Sequence, residues 1–145
     1  MNYPNLEKAI DVINKLRDPK NGCPWDLEQT HESLLKYLIE ESYEFLYATE
    51  QKDKNKMEEE LGDILLQILL HSKIGSESND FDIDSVAKTL AEKMIHRHPH
   101  VFADTKVESA EEVTKNWQKL KAEKQTSKHF FTMEDTHMPA LMSFP

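Results

Sequence analysis

The chain has 145 residues, with 27 acidic against 18 basic side chains and a formal net charge of −9. That balance argues against the DNA or RNA backbone as the main ligand, because neutralising phosphates calls for a basic face. No apolar run approaches the roughly 20 residues needed to cross a bilayer, and residues 1–4 lack the basic and apolar regions of a signal peptide.

The single cysteine, Cys23, cannot pair within the chain and fits a reducing, cytoplasmic setting. Three glycines and no phosphate-cradling glycine loop point to a helical protein. Leu6, Ala9, Ile10, Ile13 and Leu16 recur at helical spacing and predict a helix over 4–17, with Pro4 at its start. Pro19 and Gly22 end it, and a loop through Cys23, Pro24, Trp25 and Asp26 leads to Thr30, an N-cap. A second helix follows over 31–50, with Leu34, Leu35, Leu38, Ile39, Phe45 and Leu46 on its apolar side. The polar stretch 51–55 reads as a tight connection between antiparallel helices.

The third helix, 56–73, carries an apolar band wide enough to need cover on more than one side, by neighbouring helices or a second subunit. Residues 75–80 read as a loop, and Asp84 as the cap of a fourth helix over 85–97 that His98 and Pro99 terminate. Ser109 and Glu112 form a capping-box pattern for a fifth helix over 110–124, with Val113, Trp117 and Leu120 inward. Beyond residue 125 the periodicity disappears, so 1–125 is expected to be one helical domain and 126–145 a tail or linker. The expected fold is all-α, a bundle of four to five helices whose core is completed by dimerisation.

Between Glu40 and Asp63 lie nine acids against three lysines, most of the chain's net charge. Glu41 and Glu44 stand three apart on the second helix, and Glu60 and Asp63 three apart on the third, so each pair projects from one face. A Glu-rich helix by itself is usually a solvated face. The second pair, however, interrupts an apolar run in which a structural helix prefers Ala or Leu. Gly62 between these acids costs about 1 kcal/mol of helix propensity and suggests that a backbone or ligand approaches closely. Four carboxylates converging from two helices repel one another unless a hard divalent cation such as Mg²⁺ or Mn²⁺ lies between them.

The string Glu40-Glu41-Ser42-Tyr43-Glu44 followed by Glu60-Leu61-Gly62-Asp63 resembles the E-E-x-x-E…E-x-x-D signature of the MazG-type nucleoside triphosphate pyrophosphohydrolases. The resemblance extends to Leu16-Arg17-Asp18-Pro19, Gly22-Cys23-Pro24-Trp25-Asp26, Gln29-Thr30 and Arg97-His98-Pro99-His100-Val101-Phe102, and it covers about residues 6–124. It implies an all-α fold that pairs into homodimers, dependence on Mg²⁺, and hydrolysis of a nucleoside triphosphate to the monophosphate and pyrophosphate. It also implies Glu41, Glu44, Glu60 and Asp63 as the metal ligands.

Glu40, one residue from a ligand, would orient or deprotonate the attacking water or support the metal shell. Lys93 and Arg97, one helical turn apart, and Trp117 and Lys121, likewise four apart, resemble the basic and aromatic residues that close over the nucleotide. Trp117 equally suits an apolar core. Lys56 reads as an exposed salt-bridge lysine before a phosphate contact, and Trp25 as packing before a base stack. His96, His98 and His100 straddle Pro99 and do not share a helical face, which disfavours a zinc site. Cys23 followed by Pro24 reads as a turn and not as a nucleophile.

A competing expectation is a non-catalytic module that binds nucleotide or metal or mediates assembly. Pro139-Ala140-Leu141-Met142 resembles the segment that joins two repeats in two-domain bacterial members, so the chain also fits a weak amino-terminal repeat.

Overall fold

The computed structural model describes residues 2–104 and 106–125; the expected tail over 126–145 lies outside the described residues. Among the described residues there are seven helices and no strand: α1 (Pro4–Leu16), α2 (Pro24–Glu28), α3 (His31–Glu50), α4 (Lys54–Glu77), α5 (Ile83–Arg97), α6 (Pro99–Phe102) and α7 (Ala110–Gln125). The five long helices are the five expected from periodicity. One of the short helices lies in the expected loop before Thr30, the other just past the expected end of the fourth helix. Pro24 and Pro99 each occupy the first turn of a new short helix, where a missing N–H costs nothing.

The chain divides into two compact units between Lys88 and Thr89, inside α5. The first is built on the α3–α4 hairpin. Thr30 caps α3 by accepting from the Ser33 N–H, and the Ser33 hydroxyl accepts from the Thr30 N–H in return. At the other end of α3, Lys52 takes φ 56°, and the Lys52 and Asp53 N–H groups donate to Thr49 and Ala48 carbonyls. This is a Schellman turn, and it reverses the chain within three residues so that α4 returns along α3.

The same turn recurs at the end of α4. Asn79 takes φ 57°, its N–H donates to Ser76, and the Asp80 N–H donates to Gly75. The helix thus runs on to Glu77, through residues 75–77 of the expected loop. Gly75 is buried, and a Cβ there would strike the Phe81 ring, so the close approach of residue 81 to α4 requires glycine. Asp82 rather than Asp84 caps α5, accepting from the Ser85 N–H at 2.8 Å.

The core of this unit is Ile13, Leu34, Leu69 and Leu70, with Ala9, Ile10, Leu16, Tyr37, Leu65, Leu66, Ile74 and Ile83 packed around it. Leu34 and Leu70 are wholly enclosed. Each fully buried leucine contributes roughly 1.5–3 kcal/mol by leaving water. Large apolar side chains remain outside this core: Leu35 and Tyr47 on α3 and Leu61 on α4 are at least half exposed.

The loop between α1 and α3 is tied down by Arg17, a buried cation. Its Nε and Nη2 donate to the two Glu77 oxygens at 2.9 and 2.6 Å, and Nη1 donates to the Asp26 and Gln29 carbonyls. Gly22 is required in that loop, because a Cβ would collide with the Leu16 and Asp18 carbonyl oxygens. The Cys23 N–H donates to Leu16, and the half-buried thiol has a structural place at the start of α2.

In the second unit α7 begins after Ser109, whose hydroxyl accepts from the Glu112 N–H at 3.2 Å, while Glu112 accepts from the Glu108 N–H. On α5, Leu90 is exposed and Met94 half-buried.

Candidate metal centre and nucleotide-binding residues

The α3–α4 hairpin brings acids from two helices together. Glu41 on α3 and Glu60 and Asp63 on α4 each offer a carboxylate oxygen within 4.8 Å of the other two. Glu60 and Asp63, three apart, face α3 because the intervening residues Leu61 and Gly62 turn outward to the exposed side of α4. Glu60 is only 4% exposed, and its Oε2 has no hydrogen-bond partner. Its Oε1 lies 3.3 Å from the Lys56 ammonium.

Two of these acids, Glu41 and Asp63, hold protons more tightly than free carboxyls. Burial first, and then the neighbouring Glu60 and Asp63, push the Glu41 carboxyl up to about 7. Burial and Glu60 likewise raise Asp63. A buried carboxylate oxygen left without a donor is costly, and the trio offers only hard oxygen ligands. Such a set fits a hard divalent cation and does not suit zinc's nitrogen and sulfur preference.

The fourth expected ligand, Glu44, is exposed and stands outside this group, as does Glu40. The close approach expected at Gly62 does not occur within the described chain, where a Cβ would meet open space. Gln67, one turn beyond Asp63, is a polar residue that spacing arguments passed over. It is 5% exposed, and its Oε1 lacks a partner. A lone Gln in the run Ile64-Leu65-Leu66-Gln67-Ile68-Leu69-Leu70 was the available signal.

In the second unit, Arg97 is buried and its guanidinium lies over the Trp117 ring, 5.4 Å from the centroid. The His98 ring meets the same indole edge-on at 5.1 Å, and its Nδ1 donates to the Met94 carbonyl at 2.7 Å. Arg97 Nε and His100 Nδ1 are buried without partners. Lys93 is half-buried and Lys121 exposed. Trp25, expected to pack or to stack on a base, meets Tyr37 edge-on at 5.8 Å.

The MazG nucleotide pyrophosphohydrolase domain matches residues 29–102, which hold the acids of both helices and Arg97. The chain is 54% identical over 126 residues to the uncharacterized protein YabN of Bacillus subtilis, covering 86% of this chain and 26% of that protein. It is 47% identical over 123 residues to the nucleoside triphosphate pyrophosphohydrolase/pyrophosphatase MazG of Thermotoga maritima, covering 85% and 46%. With the nucleoside triphosphate pyrophosphohydrolase of Escherichia coli K12 it shares 36% identity over 140 residues, 94% and 53%.

The chain thus spans from about a quarter to about half the length of these curated relatives. A crystal structure of a MazG-related protein from Thermotoga maritima superposes with a TM-score of 0.66 at 32% identity, covering 80% of this chain and 98% of that one. The chain belongs to the MazG nucleotide pyrophosphohydrolase domain family.

Proposed function

We propose that this chain hydrolyses nucleoside triphosphates to nucleoside monophosphate and pyrophosphate, with Mg²⁺, or Mn²⁺ in its place, held by Glu41, Glu60 and Asp63. The observation that carries the reading is the meeting of these three carboxylates, one of them buried with an unpartnered oxygen. Family membership and the names of the Thermotoga and Escherichia relatives support the substrate class. Glu44, on the next turn of α3 from Glu41, is the fourth ligand in this proposal.

When bound, the cation supplies charge neutralisation of the cluster and polarisation of phosphoryl oxygens. Glu40 accepts the proton of the attacking water. The water oxygen bonds to the α-phosphorus, the bond from that phosphorus to its bridging oxygen breaks, and pyrophosphate leaves with the electron pair. Lys93, Arg97 and Lys121 supply charge-assisted hydrogen bonds to phosphates, and Trp117 presents a stacking face.

Residues 1–125 form one MazG-like domain in this reading, acting in cytoplasmic nucleotide-pool house-cleaning. A second copy covers the exposed Leu35, Tyr47 and Leu61 as a homodimer. Among the described residues no helix is long and apolar enough to cross a membrane.

The test is incubation with a panel of nucleoside triphosphates and Mg²⁺, separating the products. Monophosphate and pyrophosphate are expected, whereas diphosphate and orthophosphate would refute the assigned bond. The exposure of Glu40 and Glu44 favours a second reading, a nucleotide-binding module without efficient turnover. Mg²⁺-dependent binding with no product would select it.

A further inference from the structure

Lys56 sits in the first turn of α4, where its ammonium lies 3.3 Å from Glu60 Oε1 and 3.4 Å from Glu59 Oε2. The two carboxylates differ in kind. Glu60 is enclosed, with a side chain 5% exposed, and belongs to the acidic trio; Glu59, at 63%, faces solvent.

Helix energetics do not explain a lysine at this position. A cation in the first turn opposes the helix dipole, and Lys followed four residues later by Glu is the less favourable order for a helical pair. The trio does explain it. Glu60 is buried with its other oxygen unpartnered, so the nearby cation offsets charge that the fold has removed from water.

We propose that Lys56 is the resident counter-ion of the carboxylate cluster. It neutralises Glu60 while no divalent cation is bound and yields toward Glu59 as one binds, and so sets the cluster's divalent affinity lower than the carboxylates alone would give. The ammonium and a divalent ion draw on the same carboxylate charge, so each weakens the other's hold. Glu59 gives the displaced ammonium a solvated partner without a change of helix position. The inference rests on the reading of the trio as a divalent-cation site.

The experiment titrates Mn²⁺ into the metal-free full chain and follows the paramagnetic resonance signal of free Mn²⁺, without nucleotide. Lys56→Met is expected to bind Mn²⁺ about threefold to tenfold more tightly than the wild type at low ionic strength, with the gap narrowing as salt is added. Lys56→Arg keeps the charge and should match the wild type. Lys56→Gln repeats the neutral substitution should the Met variant lose helicity.

Unchanged or weaker binding in the neutral variants would overturn the proposal, as would equal tightening in Lys56→Arg. A wild-type chain that binds no Mn²⁺ would overturn the underlying reading as well, whereas wild-type binding with no gain in the neutral variants defeats only the role of Lys56.

Discussion

Arg97 lies against the face of Trp117, with its guanidinium carbon 5.4 Å from the ring centroid and its Nε buried without a partner. A buried cation stacked on an aromatic face keeps donors in reserve, and a phosphate oxygen would satisfy them. Arg97→Met should therefore weaken binding of a non-hydrolysable triphosphate by about tenfold or more, the cost of one charge-assisted contact. In a Trp25→Phe background the remaining indole fluorescence reports the titration. Wild-type affinity in Arg97→Met would remove Arg97 from the nucleotide site.

Arg17 and Glu77 are 60 residues apart in sequence, and their bidentate pair holds the end of α1 and the α2 loop against the end of α4. Arg17→Met leaves the Asp26 and Gln29 carbonyls without this donor and strips Glu77 of its partner. Glu77 is partly exposed, which moderates the loss to about 2 kcal/mol. Urea unfolding measures it directly, and an unchanged midpoint would show that the pair is not structural.

The Glu41 carboxyl, raised to about 7, gives metal binding a pH signature. A carboxyl whose folded value exceeds its unfolded one binds an extra proton in the folded state. In the metal-free chain, then, its contribution to stability is full below the unfolded value of 4.5 and lost as pH rises through about 7. A cation must displace that proton. Calorimetric Mg²⁺ titrations at pH 6 in buffers of different ionisation enthalpy should show net proton release, which fades by about pH 8.5. Equal proton release at both pH values, or none at pH 6, would contradict the shift.

His71 works in the opposite sense. Its ring stacks on His31 with Nδ1 to Nδ1 at 2.7 Å, and burial, with a smaller effect from His31, lowers its affinity for protons against a weaker pull from Glu32. The unfolded chain takes up the proton more readily, so the stability this group contributes is present above about pH 6.5 and lost as pH falls below it. Denaturation midpoints from pH 8 to pH 5 should fall for the wild type and fall less for His71→Gln. Parallel curves would show that burial does not lower the proton affinity of His71.

Much of this was legible in the sequence because it is local. The 31–50 helix, the Thr30 cap and the paired acids depend on spacing within a few turns, and the hairpin follows from a connection too short to do anything but reverse the chain. What escaped depends on partners distant in sequence or on backbone conformation. Nothing near Arg17 announces Glu77, and nothing near Gly75 announces that Phe81 folds back onto it. Asn79, not Gly75, marks the end of α4, because the left-handed residue of a Schellman turn lies just past the helix.

Spacing alone does not rank the four carboxylates. Glu41 and Glu44 share a face by period, and of the two it is Glu41 that lies in the tight group with Glu60 and Asp63. A shared face is about as wide as a turn is long, and a packed neighbour touches only part of it. Trp117, which suits core and ligand alike in sequence, is half-buried beneath Arg97.

The most direct test is an anomalous-difference map from a crystal of the full chain soaked in Mn²⁺. The predicted result is a peak bounded by carboxylate oxygens of Glu41, Glu60 and Asp63, lost in Glu60→Gln. A peak bound elsewhere, or one that persists unchanged in Glu60→Gln, would contradict it.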